Sequence, residues 1–151
     1  MELDDFDRRL LNALQRDNQQ TGEQLAEQVG LSAAACLRRA QKLRDAGVIE
    51  QDVSIISPQT AGRRLTMIVL VTLERRNPDQ PEVFKKLMRN DEAVTQCYLV
   101  TGSMDFVLVV AVEDMEAYEA VTQRYFYEPY VHKFESLASL TRVKYTTALP
   151  L

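Results

Sequence analysis

Residues 21–47 read TGEQLAEQVGLSAAACLRRAQKLRDAG, and this stretch decides how the first third of the chain folds. Thr21 followed three residues later by Gln24 is a capping box, the signature of a helix start. The helix it opens turns Leu25, Ala26 and Val29 to one side and stops at Gly30, a residue free to take the left-handed conformation that ends helices. Ser32 then caps a further helix that runs to Gly47. Two capped helices about a three-residue turn, Gly30-Leu31-Ser32, make a helix-turn-helix. Upstream, Leu3, Phe6, Leu10, Leu11 and Leu14 have the spacing of an amphipathic first helix, with Asp4, Asp5 and Asp7 at its positive end. Downstream, Val48-Ile49 and Val53-Ser54-Ile55-Ile56 alternate as a short strand pair would, which predicts a small wing.

The pattern changes at Ser57-Pro58-Gln59-Thr60-Ala61-Gly62-Arg63-Arg64, where Pro58 and Gly62 punctuate the chain. The expected organisation is a helix-turn-helix domain over 1–57, a linker over 58–64 and a second domain over 65–151. The second domain reads strand (66–73), helix from Pro81 burying Val83, Phe84, Leu87 and Met88, strand (94–100), and strand (106–112). A helix capped by Glu113 or Asp114, carrying Met115, Tyr118, Val121 and Tyr125, and a last strand within 134–146 complete it. That order is the ferredoxin-like βαββαβ, so the fold class is α+β, a winged helix-turn-helix followed by a ferredoxin-like domain. Met67–Val71 and Phe106–Val112 are unbroken apolar runs, as expected of strands covered on both faces. Two helices cover one face of a four-stranded sheet, so a second copy is the expected cover for the other.

The chemistry concentrates on the third helix. At about 100° per residue, Cys36, Ala40 and Leu43 share its inner face, while Ala34, Arg38, Gln41, Lys42 and Asp45 face outward, with Arg39 and Arg44 on the flanks. Four bases against one acid sit on this helix, whereas the rest of residues 1–57 holds three bases against nine acids. This is the element that a helix-turn-helix sets in the major groove of double-stranded DNA. Arg38 suits guanine O6 and N7, Gln41 suits adenine, and Ala34 offers a methyl for close approach. Lys42, Arg39 and Arg44 suit phosphates, and the cap residues Thr21 and Ser32 complete the candidate contact set.

Composition agrees by exclusion. The chain is 46% hydrophobic and 26% charged with a net charge of −4, which rules out a disordered chain and a histone-like coat but not a local basic patch. Cys36 and Cys97 lie far apart beside the single His132, so neither a zinc site nor a catalytic Cys/His pair is expected; buried reduced thiols and a lone histidine are. The acidic amino terminus has no apolar targeting segment, and no apolar run reaches membrane-spanning length, so a soluble cytoplasmic protein is expected. No phosphate loop, nucleotide fingerprint or metal constellation is present, Glu113, Asp114 and Glu116 read as helix-start acids, and no enzyme activity is expected. Tyr118, Tyr125, Phe126, Tyr127 and Tyr130 read mainly as core or interface packing.

These motifs also resemble a known family. Leu3-Asp4-x-x-Asp7-x-x-Leu10-Leu11-x-x-Leu14-Gln15, then Leu31-Ser32-x-x-x-Cys36-x-Arg38-Arg39-Ala40-x-x-Leu43-x-x-Ala46-Gly47-Val48-Ile49, is similar to the Lrp/AsnC (leucine-responsive, feast/famine) transcriptional regulators. The likeness continues through Cys97-Tyr98-Leu99-Val100-Thr101-Gly102-x-x-Asp105-Phe106 and Val143-Lys144-Tyr145-Thr146-Thr147. The closing Lys-Tyr-Thr-Thr-Ala-Leu-Pro-Leu is similar to a subgroup that controls amino-acid catabolism and detoxification genes. The resemblance implies a DNA-binding domain tethered to a ligand-binding, oligomerising domain, dimers that commonly assemble four at a time into an octamer, and a small amino acid as effector. Carried onto this chain, it implies effector contacts at Thr101, Gly102, Ser103, Met104 and Asp105, with Ser136 as a further contributor. Gly102 would let backbone N–H groups approach a carboxylate, and Asp105 could pair with an α-ammonium, although both also suit a plain hairpin.

Two departures stand out. Ser103 and Met104 replace the family's usual acid and aromatic, which suits a different effector or none. Tyr130 replaces a usual glycine, an expected change in packing between dimers. The alternatives to an amino-acid-responsive regulator are an architectural DNA-binding protein without effector, and a ferredoxin-like small-molecule sensor that does not bind DNA.

Overall fold

A computed structural model describes residues 2–151 and divides them into two compact units. The first comprises the chain up to Ile55 together with Val143–Leu151, and the second Ile56–Arg142.

The first unit holds α1 (Asp5–Leu14), α2 (Gly22–Val29) and α3 (Ala33–Asp45). Each start is a side-chain cap. Asp4 accepts from the Asp7 amide at 2.8 Å while Asp7 accepts back from the Asp4 amide at 3.2 Å. Thr21 and Gln24 make the same reciprocal pair at 3.3 and 2.8 Å, and Ser32 accepts from the Ala35 amide at 3.2 Å. Gly30 and Gly47 take φ +81° and +70°, the left-handed values that end α2 and follow α3. The core is Leu10, Leu11, Leu25, Val29, Cys36, Ala40 and Leu43, with Leu3, Phe6, Val48 and Ile49 at its margin.

Neither strand of the expected wing forms, because no strand lies between α3 and Leu65. The amides of Val48 and Ile49 are spent on the Leu43 carbonyl at 2.9 and 3.2 Å, closing the end of α3, and their side chains tuck under the core. Val53, Ile55 and Ile56 are left with no strand partner in the chain and are exposed.

The second unit is the expected βαββαβ: β1 (Leu65–Leu73), α4 (Gln80–Asn90), β2 (Val94–Leu99), β3 (Phe106–Val112), α5 (Met115–Tyr125) and β4 (Val131–Ala138). Its strands lie in the order β2-β3-β1-β4, every neighbour antiparallel. Met67, Val69, Val71 and Leu73 of β1, with Phe106, Leu108, Val110 and Val112 of β3, are buried in one core with Phe84, Met88, Tyr118, Val121 and Phe126. The alternate residues Ile68, Leu70, Val107 and Val109, with Tyr98 and Leu137 in register beside them, form the opposite face, on which no helix packs.

Two placements differ from the reading of the sequence. Val83 and Met115 are exposed, because the inward line of α4 runs through Phe84 and Met88 and that of α5 through Tyr118 and Val121, each about a third of a turn away. The last strand starts at Val131 and ends at Ala138, and Val143–Leu151 joins the first unit, where the Gln15 side-chain amide exchanges hydrogen bonds with the Leu149 backbone at 3.0 and 2.6 Å. Tyr130 packs against the core of its own unit, as expected of the aromatic cluster, edge-on to Phe84 at 6.4 Å.

Candidate nucleic-acid interface and effector loop

Helix α3 offers an outward stripe of Ala34, Leu37, Arg38, Gln41, Lys42 and Asp45, all exposed, while Cys36, Ala40 and Leu43 are buried against α1 and α2. The four bases of the helix are not equivalent. Arg39 turns away from the stripe, its Nη1 donating to Asp4 at 2.8 Å and Asp7 at 2.7 Å while its guanidinium lies 5.6 Å from the centre of the Phe6 ring. The Asp7 amide, and then Arg39, hold the Asp4 carboxyl below its usual range. Arg44 donates through Nε to Asp52 at 2.7 Å and through Nη2 at 3.3 Å, and Asn18 also donates to Asp52. Both arginines are therefore spent on tying the unit together. Among the described residues, Arg38 and Lys42 have no ion pair, and they stand as the free cations of the stripe. Gln41 lies between them in sequence and donates to Asp45 at 2.8 Å.

Of the residues singled out by sequence, Ala34, Arg38, Gln41 and Lys42 thus share one open surface, with Ser32 exposed at the helix start. Thr21 and Ser32 spend their hydroxyl oxygens as cap acceptors, leaving each hydroxyl proton to donate. Leu37 was not among them. It is 54% exposed and sits three residues after Ala34 and four before Gln41, a spacing that already marked it as outward.

The loop from Thr101 to Asp105 joins β2 to β3 at the end of β1. Thr101, Gly102 and Ser103 are exposed, and Met104 and Asp105 half-buried. Gly102 has φ +110° and open space where a side chain would project. Asp105 closes the loop: its carbonyl accepts from the Val100 amide at 2.9 Å, its own amide donates to Val71, and its carboxylate accepts from the Leu73 amide at 2.7 Å. One carboxylate oxygen of Asp105 is therefore a fixture of the hairpin. The Thr72 hydroxyl lies 3.2 Å from the Met104 sulfur, which holds that side chain over the strand end. Ser136 is not part of this cluster within one chain. It pairs opposite Val69 in the middle of β1, about 10 Å along the strand from Thr72, and its hydroxyl is bonded to that of Tyr118.

Comparison with known proteins covers the whole chain. A family model described as the Lrp/AsnC ligand binding domain matches residues 66–149, and one described as a winged helix-turn-helix DNA-binding domain matches residues 3–50. An uncharacterized HTH-type transcriptional regulator of Sinorhizobium fredii is 50% identical over 152 aligned residues, covering 100% of this chain and 90% of the relative. The leucine-responsive regulatory protein of Escherichia coli is 36% identical across 78% of this chain and 71% of its own length. Among solved structures, a transcriptional regulator of Neisseria meningitidis in complex with L-Met superposes with a TM-score of 0.92 at 32% identity, over 99% of this chain and 97% of that one.

Proposed function

The chain belongs to the Lrp/AsnC family, whose members are transcriptional regulators and not enzymes, and from that premise we propose that it binds double-stranded DNA sequence-specifically under the control of a small amino acid or related metabolite. The observation that carries the DNA reading is the sorting of charge on α3. Arg39 and Arg44 are bound inside the unit, while Arg38, Gln41 and Lys42 remain on one open stripe of the second helix of a helix-turn-helix. Arg38 reads guanine, Gln41 reads adenine, Lys42 meets phosphate, and Ala34, Thr21 and Ser32 allow and support close approach.

The effector domain takes its ligand at the loop 101–105, with the exposed Gly102 amide region and the remaining Asp105 carboxylate oxygen as the polar groups. The L-Met held by the Neisseria meningitidis protein supports an amino acid as the class. Ser136 acts there only if a second chain brings it to the loop. The apolar sheet face of Ile68, Leu70, Val107 and Val109 is covered by a second copy, which makes the dimer the working unit, four of which would build the octamer implied by the family. No helix of the described residues is long and apolar enough to cross a membrane, in keeping with a cytoplasmic site of action.

The test is a double substitution. Arg38→Ala with Lys42→Ala abolishes salt-dependent binding to duplex DNA while leaving the association state unchanged. Undiminished binding would refute the assignment of α3. A thermal-shift screen against the twenty amino acids separates the effector-responsive regulator from an architectural one, since the latter shows no shift with any of them.

A further inference from the structure

The stripe of α3 that carries the free cations also carries a large apolar side chain in water. Leu37 is 54% exposed, flanked in space by Ala34 one turn before it and Gln41 one turn after, with Arg38 beside it. It is not loose. Gly22 opens α2 directly beneath it, and a Cβ there would stand 3.2 Å from Leu37 Cδ1 and 3.2 Å from Ala33 Cβ. The missing side chain of Gly22 lets the start of α2 approach until one flank of Leu37 rests on it. The other flank stays open at the edge of the outward stripe, about 100° around the helix from Arg38 and on the same side as Ala34 and Gln41.

We propose that Leu37 is a specificity-determining residue that packs on the 5-methyl group of a thymine in the major groove, beside the base read by Arg38. This rests on the DNA-binding reading above. The occupant follows from the surroundings. The unpaired Arg38 and Lys42 on the same exposed stripe select a polyanion, and the apolar group that base edges display in the major groove is the thymine methyl. A leucine pinned by Gly22 meets it without a further loss of side-chain freedom.

Wild-type full-length protein is first used to select a duplex from random-sequence DNA. Each thymine of that duplex is then replaced singly by deoxyuridine, which removes only the methyl, and affinity is measured by fluorescence anisotropy at fixed salt. Wild type loses about fourfold at one or two thymines, the cost of one methyl-sized group taken out of an apolar contact. Leu37→Ala binds the thymine duplex about fourfold more weakly than wild type and no longer distinguishes it from the uracil duplex. Leu37→Met, which keeps an apolar end, restores the distinction, and Arg38→Ala keeps it at lower affinity. Wild type indifferent to every replacement, or Leu37→Ala still discriminating, overturns the proposal. So does a Leu37→Ala protein that discriminates normally but changes its association state, which would give the leucine to a protein contact. A wild-type chain with no salt-dependent duplex binding sinks the regulator reading itself, a result distinct from binding without methyl sensitivity.

Discussion

Neighbouring arginines on one helix turn have opposite jobs, and the difference is set by what lies across from each. Arg38 projects from α3 into solvent, while Arg39, 100° around the helix, reaches the two acids that cap α1. Arg38→Ala should therefore weaken specific DNA binding by about 1–3 kcal/mol without changing the melting temperature. Arg39→Ala should do the reverse, lowering stability by about 1 kcal/mol, since its network is half-exposed and screened by water. The pH dependence of the second effect has a definite sign. Asp4 has a carboxyl pKa depressed below 3.8 in the folded chain, so its contribution is present above that value and disappears as pH falls through the folded value. Urea melts at pH 7 and in strong acid should show the gap between wild type and Arg39→Ala closing in acid; a constant gap would mean that lost packing on Phe6 accounts for the whole effect. The caps at Thr21 and Ser32 were legible in the sequence because a cap and the amide it accepts from lie three residues apart. The partners of Arg39 lie 35 and 32 residues away, and nothing local announces them.

At the scale of the element, legibility follows the same divide between local and distant causes. Helix starts at Thr21 and Ser32, and the glycine stops, come from adjacent residues and read directly. The choice between Glu113 and Asp114 falls to Asp114, and Asp4, read only as an acid at the positive end of α1, is its cap. The wing did not, because alternation in 48–56 says only that a strand would be amphipathic, and the first amides of the stretch are claimed by the end of α3. The unbroken runs in β1 and β3 were informative for another reason: an apolar residue on the uncovered face has no explanation inside one chain. The joint between α4, β2 and α5 was invisible beforehand. Asp91, its side chain 7% exposed, accepts from Arg124 at 2.8 Å, from the Tyr125 hydroxyl at 2.7 Å and from the Ala93 amide at 2.8 Å. Burial pushes its carboxyl up, but the hydrogen bonds from Tyr125, Ala93 and Arg124 outweigh burial and bring it below the usual range. Asp91→Asn keeps the shape and one acceptor but loses the charge, and should cost about 1–2 kcal/mol at neutral pH. A depressed carboxyl stabilises above its unfolded pKa and ceases to do so as pH falls through the folded one, so the deficit should shrink in acid denaturation curves.

For the whole molecule, the net charge of −4 hides a sorting that only the three-dimensional arrangement completes: acids of α1 and the segment after α3 neutralise Arg39 and Arg44, and Arg38 and Lys42 are left outward. The uncovered sheet face makes a prediction at this scale. Ile68→Lys with Val109→Lys places two charges on adjacent strands where the proposed second copy would pack, and should turn a dimeric wild type into monomers in light scattering while the far-ultraviolet signal persists. A dimeric mass kept by the variant would overturn this face as the interface. The chain also crosses between its two units twice, once at 55–56 and once at 142–143, because its last nine residues return to the first unit. Gln15, at the end of α1, grips the Leu149 backbone as a strand neighbour would, one bond in each direction. The tail is thus a structural part of the helix-turn-helix unit, although the effector-domain match runs to residue 149. Gln15→Ala removes both bonds from an exposed site and should cost about 1 kcal/mol. Truncation after Arg142 removes the whole contact and should cost more, and in hydrogen exchange the loss of protection should appear in α1 while β1 and β3 keep theirs. Protection lost equally in both units would overturn the assignment of the tail to α1.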